Sequence, residues 1–188
     1  MPRFLIAILL TSCATSQPPR LMRWADGHPA RLCDSEQIVV IAVFTKDATM
    51  DRVRDAADLW NRWLGHNLFR VVEPSDVSTY GPMVSVTEKS LDDPQRRGIA
   101  QLGHREGDFS NYASIHLSTR LFSEEGEYTD LQITSIIAHE FGHALGLQHT
   151  PYASDLMWPH IHQSDVVLFR VPPPGEDQLD WARKVWTP

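Results

Sequence analysis

Cysteine is nearly absent: only Cys13 and Cys33 occur in 188 residues. Two cysteines cannot build the disulfide framework of a small secreted scaffold. Long apolar runs are missing too. The two longest, Phe4–Leu10 and Ile38–Phe44, have seven residues each, whereas a helix that spans a bilayer needs about 20. That excludes a polytopic helical membrane protein. Basic charge is the minority, 17 Lys and Arg against 24 Asp and Glu, for a formal net charge of −7. Gripping nucleic acid takes cations to neutralise phosphate, so no nucleic-acid partner is expected. What is present is ordinary globular composition, 42% apolar and 22% charged. The length suits one domain with a short appendage.

The first residues read as an address. Arg3 precedes the apolar stretch Phe4–Leu10, and Leu10-Thr-Ser-Cys13 follows. A charged start, a short apolar core and small residues before a cut describe a secretory signal. Leu-Thr-Ser-Cys resembles the bacterial lipobox, in which the cysteine is lipidated and becomes the mature N-terminus. Residues 1–12 are thus expected to be a signal peptide of lipoprotein type, with Cys13 the lipidation site; a plain signal peptide with a chance cysteine is the alternative. Removing residues 1–12 deletes only Arg3 and takes the charge from −7 to −8. Ala14 follows the cysteine, which favours the outer membrane under the enterobacterial sorting rule. The expected location is the cell envelope, otherwise secretion, with the lipid as the only membrane attachment. Residues 13–37, polar and carrying Pro18, Pro19, Gly27 and Pro29, read as a lipid-anchored tether. Residues 38–188 are then expected to form the main folded domain.

Gln37–Thr45 is a continuous β-branched run, the pattern of a strand buried on both faces. Val53, Ala56, Ala57, Trp60, Trp63 and Leu64 make one apolar helical stripe, stopped by Gly65. That stripe reads as core. Asn67–Glu73, Met83–Thr87, Ile99–His104 and Ala113–Ser118 read as further strands. This order suggests a twisted sheet with a helix packed on one face. Asp177, Leu179, Trp181, Ala182 and Val185 suit a closing helix.

The chemistry lies at residues 139–157. Thr129 with Gln132 is a capping-box pattern that opens a helix over Leu131–Leu147. Within it His139 and His143 stand four apart, one above the other on one face, where both imidazoles can bind one ion. Glu140 is one step round, within reach of a water on that ion. Gly146 permits the left-handed turn that reverses the chain and brings His149 to the same ion. Three protein ligands and one open position describe a catalytic zinc site.

The string His139-Glu140-x-x-His143-x-x-Gly146-x-x-His149, followed by Met157 in Leu-Met-Trp-Pro, resembles the metzincin zinc proteases, and among them the matrixins. The close match runs over Thr129–His160. The resemblance implies an α+β, metzincin-like fold: a twisted, mostly parallel sheet of about five strands, a packed helix, a zinc-binding active-site helix, a Met-turn and a C-terminal helix. It implies one catalytic Zn2+ on His139, His143 and His149, Glu140 as the catalytic base, and Met157 as an apolar floor under the imidazoles. It implies a protein or peptide substrate, from extracellular or envelope proteins, paired with an edge strand placed at Ala113–Ser118. The pocket for the side chain after the scissile bond would lie between Ser135 on the zinc helix and Pro159 and Ile161 beyond Met157.

Departures from the matrixin pattern bound these expectations. Lys89-Ser-Leu-Asp92 lacks a His-x-Asp ligand pair, and Ser118 stands where the calcium loop has Asp, so no structural zinc or calcium is expected. His104 and His116 read as histidines on strand faces; sharing a metal is the alternative. Glu124, Glu125, Glu127 and Asp130 read as solvated acids. Pro159 replaces the metal-facing Tyr of astacins and serralysins, and the Cys-rich zinc site of archaemetzincins is absent. Cys33 reads as a half-buried thiol; a thiolate covering the zinc is the alternative, though Arg31-Leu-Cys33-Asp34 lacks the matrixin switch motif. Two other classes stay open: a zinc-binding lipoprotein that binds a protein partner without turnover, and an envelope protein whose histidines bind no metal. The sequence does not give the oligomeric state.

Overall fold

The computed structural model describes residues 21–23, 30–32, 37–43, 47–76, 81–93, 95–103, 105–106, 109–123, 128–161 and 170–186. The expectations for the signal peptide, Cys13, Cys33, His104, and Glu124, Glu125 and Glu127 fall outside these residues. No helix among the described residues is long and apolar enough to cross a membrane.

The β-branched run forms β1 (Ile38–Val43), followed by α1 (Asp47–Leu64) and β2 (Phe69–Val72). Next come β3 (Met83–Lys89), β4 (Gly98–Leu102), the short strands β5 (Arg105–Glu106) and β6 (Phe109–Ser110), and β7 (Tyr112–Ser118). Two helices complete the order, α2 (Asp130–Ala144) and α3 (Glu176–Trp186). The main sheet runs β2-β1-β3-β7-β4. All its pairs are parallel except the last, β4 against β7, which is antiparallel. The architecture is α+β, a mixed five-stranded sheet with helices packed on it.

Alternation in the strands decides which face the helices cover. Val84 and Val86 of β3, and Ala113, Ile115 and Leu117 of β7, are fully buried. The expected α1 stripe belongs to the same core: Val53, Ala56, Ala57 and Trp60 are buried, with Trp63 partly so. Asn61 ties α1 to β2, donating to Phe69 O at 2.9 Å and accepting from Phe69 N–H at 2.8 Å. Trp60 reaches α2, where its Nε1–H donates to the carbonyl of Ala138 at 2.8 Å. Phe69 and Phe141 stack at 4.8 Å between centroids.

Two expectations are corrected here. The edges of the sheet are β2 and β4, and β7 lies inside it between β3 and β4. The burial explains the order: Ala113, Ile115 and Leu117 need cover, whereas β4 (GIAQL) is only half-buried along its length. The described parts of the expected tether also pack on the domain. Leu21 bridges antiparallel to Leu147 and Leu32 parallel to Ser110. Ala30 and Leu32 are buried, and Arg31 lies over the rings of Phe109 and Trp186. Apolar residues spaced among the polar ones make the contact, a pattern that the surrounding prolines obscure.

Candidate active site

The sequence positions α2 by its ends. Thr129 accepts from Gln132 N–H, and the Gln132 side chain accepts from Thr129 N–H, closing the capping box. At the other end Gly146 adopts φ +99°. Its N–H donates to His143 O at 2.9 Å, and Leu147 N–H donates to Gly142 O at 2.9 Å. These two bonds form a Schellman motif, which ends the helix with its last carbonyls satisfied and turns the chain toward His149. The close approach of residues 30 and 31 also requires glycine here. A Cβ on Gly146 would lie 2.8 Å from the Arg31 Cβ and 3.0 Å from Ala30 O.

The three histidines converge. Their Nε2 atoms lie 3.1 Å from one another in all three pairs. His139 Nδ1–H donates to Leu156 O and His143 Nδ1–H to Leu147 O, each at 2.7 Å. These carbonyls can only accept, so both rings are Nδ1–H tautomers with the Nε2 lone pair turned inward. Such nitrogens cannot hydrogen-bond to one another; they repel unless a cation lies between them. Four ligands at the usual zinc–nitrogen distance of about 2.0–2.1 Å would be about 3.3 Å apart at tetrahedral corners, close to the spacing here. The donor set therefore fits a zinc ion. Among the described residues it is the one group of three or more ligating side chains close enough to share a metal.

Electrostatics favour ligation over protonation. Burial pushes His143 down to about 4, partly offset by its bond to Leu147, and burial also lowers His149. Neutral imidazole is the ligating form. Glu140 is only 5% exposed. Burial pushes its carboxyl up to about 8, eased by the Ala100 N–H and by the Arg96 charge. In the metal-free protein the folded state then keeps a proton that the unfolded chain releases near 4.5. This contribution to stability is full below 4.5 and is lost as pH rises to about 8. His143 acts in the opposite direction, but only between about 4 and 6.5. From pH 6.5 to 9, metal-free protein should therefore lose about 2 kcal/mol that Glu140→Gln does not lose, at 1.36 kcal/mol per pH unit. Urea unfolding of both chains at the two pH values, in chelator, checks this.

The histidines and Glu140 line an open cleft of about 1020 Å³. Gly98, Ile99 and Ala100 of β4 line it, as do Ile136, Pro159 and Ile161. Pro159 and Ile161 thus line the same cleft as the histidines. Ser135 does not: it is fully buried, and its hydroxyl donates to Leu131 O at 2.7 Å. Such back-bonding to the residue four before turns a helical hydroxyl away from the groove. Ile136, four residues before Glu140 and so on its face of the helix, lines the cleft instead. Met157 is fully buried, its sulfur packed against Gly142 of α2. Thr150 N–H donates to Met157 O at 2.9 Å, which joins the segment after His149 to the Met-turn. His116 is away from this cluster and bonds to Thr87 Oγ1 at 2.9 Å.

Three features had no signal in the motif. Asp155 is buried and accepts from Met157 N–H at 2.8 Å, shaping the Met-turn. Gln178 of α3 donates to Gln148 O at 3.0 Å. Gly98 brings the β4 backbone against Glu140, since a Cβ there would meet the carboxylate at 2.5 Å. Only the Asp155 contact is local in sequence, where an acid two residues before a turn residue is a recognisable Asx pattern.

Comparison with known proteins gives these features a context. The matrixin model of the peptidase M10 family matches residues 43–174. Matrix metalloproteinase-19 of Homo sapiens is 36% identical over 83 residues, which cover 44% of this chain and 15% of that protein. The chain thus spans a small part of that relative's length. The crystal structure of an archaemetzincin from Methanopyrus kandleri superposes with a TM-score of 0.54 at 15% identity, covering 79% of this chain and 93% of that one. At that identity the likeness speaks to the fold.

Proposed function

This chain belongs to the matrixin family of metallopeptidases, and we propose that it is a zinc-dependent endopeptidase acting on extracellular or envelope proteins. The observation that carries the reading is the convergence of three inward Nε2 atoms beside a buried carboxylate in an open cleft. His139, His143 and His149 would hold one zinc ion, with Met157 as an apolar floor. When bound, the ion supplies Lewis acidity, which acidifies water and polarises a carbonyl.

The chain's own residues do the rest. Glu140 takes the proton of the attacking water and passes it to the leaving amine. Its burial, which raises its proton affinity in the metal-free protein, suits a group that must both accept and return a proton. An extended substrate adds as a strand to the free edge of β4, which lines the cleft. Ile136, Pro159 and Ile161 offer an apolar pocket for the side chain after the scissile bond. Gly98 leaves room for the Glu140 carboxylate. Gly98→Ala pushes that flexible end aside and should slow turnover about 10–100-fold while zinc stays bound. Steady-state kinetics with elemental analysis checks it.

The N-terminal sequence supports export by a lipoprotein-type signal, with a lipid on Cys13 and an outer-membrane location. Residues 21–23 and 30–32 lie against the domain, so the proposed tether is the stretch before them.

The test is a proteome-derived peptide library incubated with the zinc-loaded chain and read by mass spectrometry. New termini sharing a preference for an apolar residue after the cut are expected. No cleavage by a chain that holds zinc would overturn catalysis and leave a zinc-binding module that recognises a protein partner.

A further inference from the structure

His139 and His143 are fixed by α2 and by their bonds to Leu156 and Leu147. His149 belongs to no helix and is exposed. Its place depends on the turn that begins at Gly146. Beyond His149 the chain is tied by Thr150 N–H donating to Met157 O, and before it the turn receives two donors from other segments. Met22 N–H donates to Gly146 O at 2.7 Å, and Gln178 Nε2 donates to Gln148 O, the residue directly before His149, at 3.0 Å.

Gln178 is out of keeping with its surroundings. Leu179, Ala182 and Trp186 are the other buried residues of α3, and Gln178 is itself 0% exposed. Its orientation is set by its partner: the Gln148 carbonyl only accepts, so the amide nitrogen must face it. The amide oxygen is then buried with no hydrogen-bond partner among the described residues. An orphaned buried carbonyl costs folding free energy. A methionine of similar size would fill the space without that cost. What glutamine adds at this position is its single bond to Gln148.

We propose that Gln178 is a positioning residue for His149, anchoring the third metal ligand to α3 through the backbone of Gln148. The inference rests on the ligand set proposed above. A side chain kept for packing would be replaced by methionine at no loss to the metal site. A side chain kept for the ligand would show the opposite pattern, because outer partners of metal ligands govern affinity more than fold.

The experiment is a Zn2+ titration of the full chain against a chromophoric chelator, with thermal melts of the metal-free proteins alongside. Wild type, Gln178→Met and Gln178→Leu are compared; the second variant guards against one apolar shape failing to pack. The expected result is zinc affinity weakened about tenfold in both variants, with a metal-free Tm equal to wild type or higher. Unchanged affinity, with Tm lowered or not, would overturn the proposal. Failure of the wild type to bind zinc would instead sink the ligand set itself, and this inference with it. That failure is distinguishable because it appears in the parent chain.

Discussion

Glu140→Ala is expected to bind zinc as the parent does and to hydrolyse peptides about 10³-fold more slowly. The carboxylate is not among the ligating nitrogens, so removing it leaves the three imidazoles in place. Proton transfer by a positioned group contributes roughly 10²–10⁴-fold in rate. The loss should fall on kcat with little change in KM, since Glu140 acts on the proton in flight more than on the bound chain. Glu140→Gln keeps the shape and loses the proton chemistry, so it should behave alike. Steady-state kinetics on a quenched peptide, with zinc measured on the same samples, reads both quantities. Turnover within about threefold of the parent would remove Glu140 from its role as base.

The second large effect lies in the core. Trp60→Ala should lower stability by about 3–5 kcal/mol, the usual cost of removing a buried aromatic. Trp60 is fully buried and T-packed on Trp63 at 5.5 Å. Its indole N–H bonds to Ala138, the residue before the first ligand. Domains of this size are stable by about 5–15 kcal/mol, so the loss takes a large share. Trp60→Phe, which keeps a ring but loses the N–H, should cost about 1–2 kcal/mol. Urea unfolding of both variants with zinc present checks the pair. A loss under about 1 kcal/mol for the alanine variant would mean that α1 and α2 are held together elsewhere.

What could be read before the fold was known follows from how locally each feature is encoded. The histidines, Glu140 and Gly146 lie within eleven residues, where helical period and one turn relate them, and the structure brings the three rings together. The capping box spans four residues and forms as its pattern indicates. The α1 stripe is buried as its period implies. The strand order was less accessible. Burial of Ala113, Ile115 and Leu117 on one face says that β7 is covered on that face, but not which strands flank it. The placing of Ser135 failed because residues 135 and 136 are neighbours on the helix, and a hydroxyl bond to Leu131 decides which of them meets the cleft. Gln178 acts on a backbone 30 residues away, and a single glutamine on a helix has no period to reveal it. The packing of Leu21, Ala30 and Leu32 was hidden by a proline-rich stretch that matches the composition of a linker.

The central claim is that one zinc ion on His139, His143 and His149 makes this chain a peptidase. The most direct measurement is stepwise addition of zinc to chelator-treated chain, with hydrolysis of a quenched peptide followed at each step. The account predicts no hydrolysis without metal and a rise that levels off at one zinc per chain. Hydrolysis by the metal-free chain, or none at full zinc occupancy on peptides cut from the library, would contradict it.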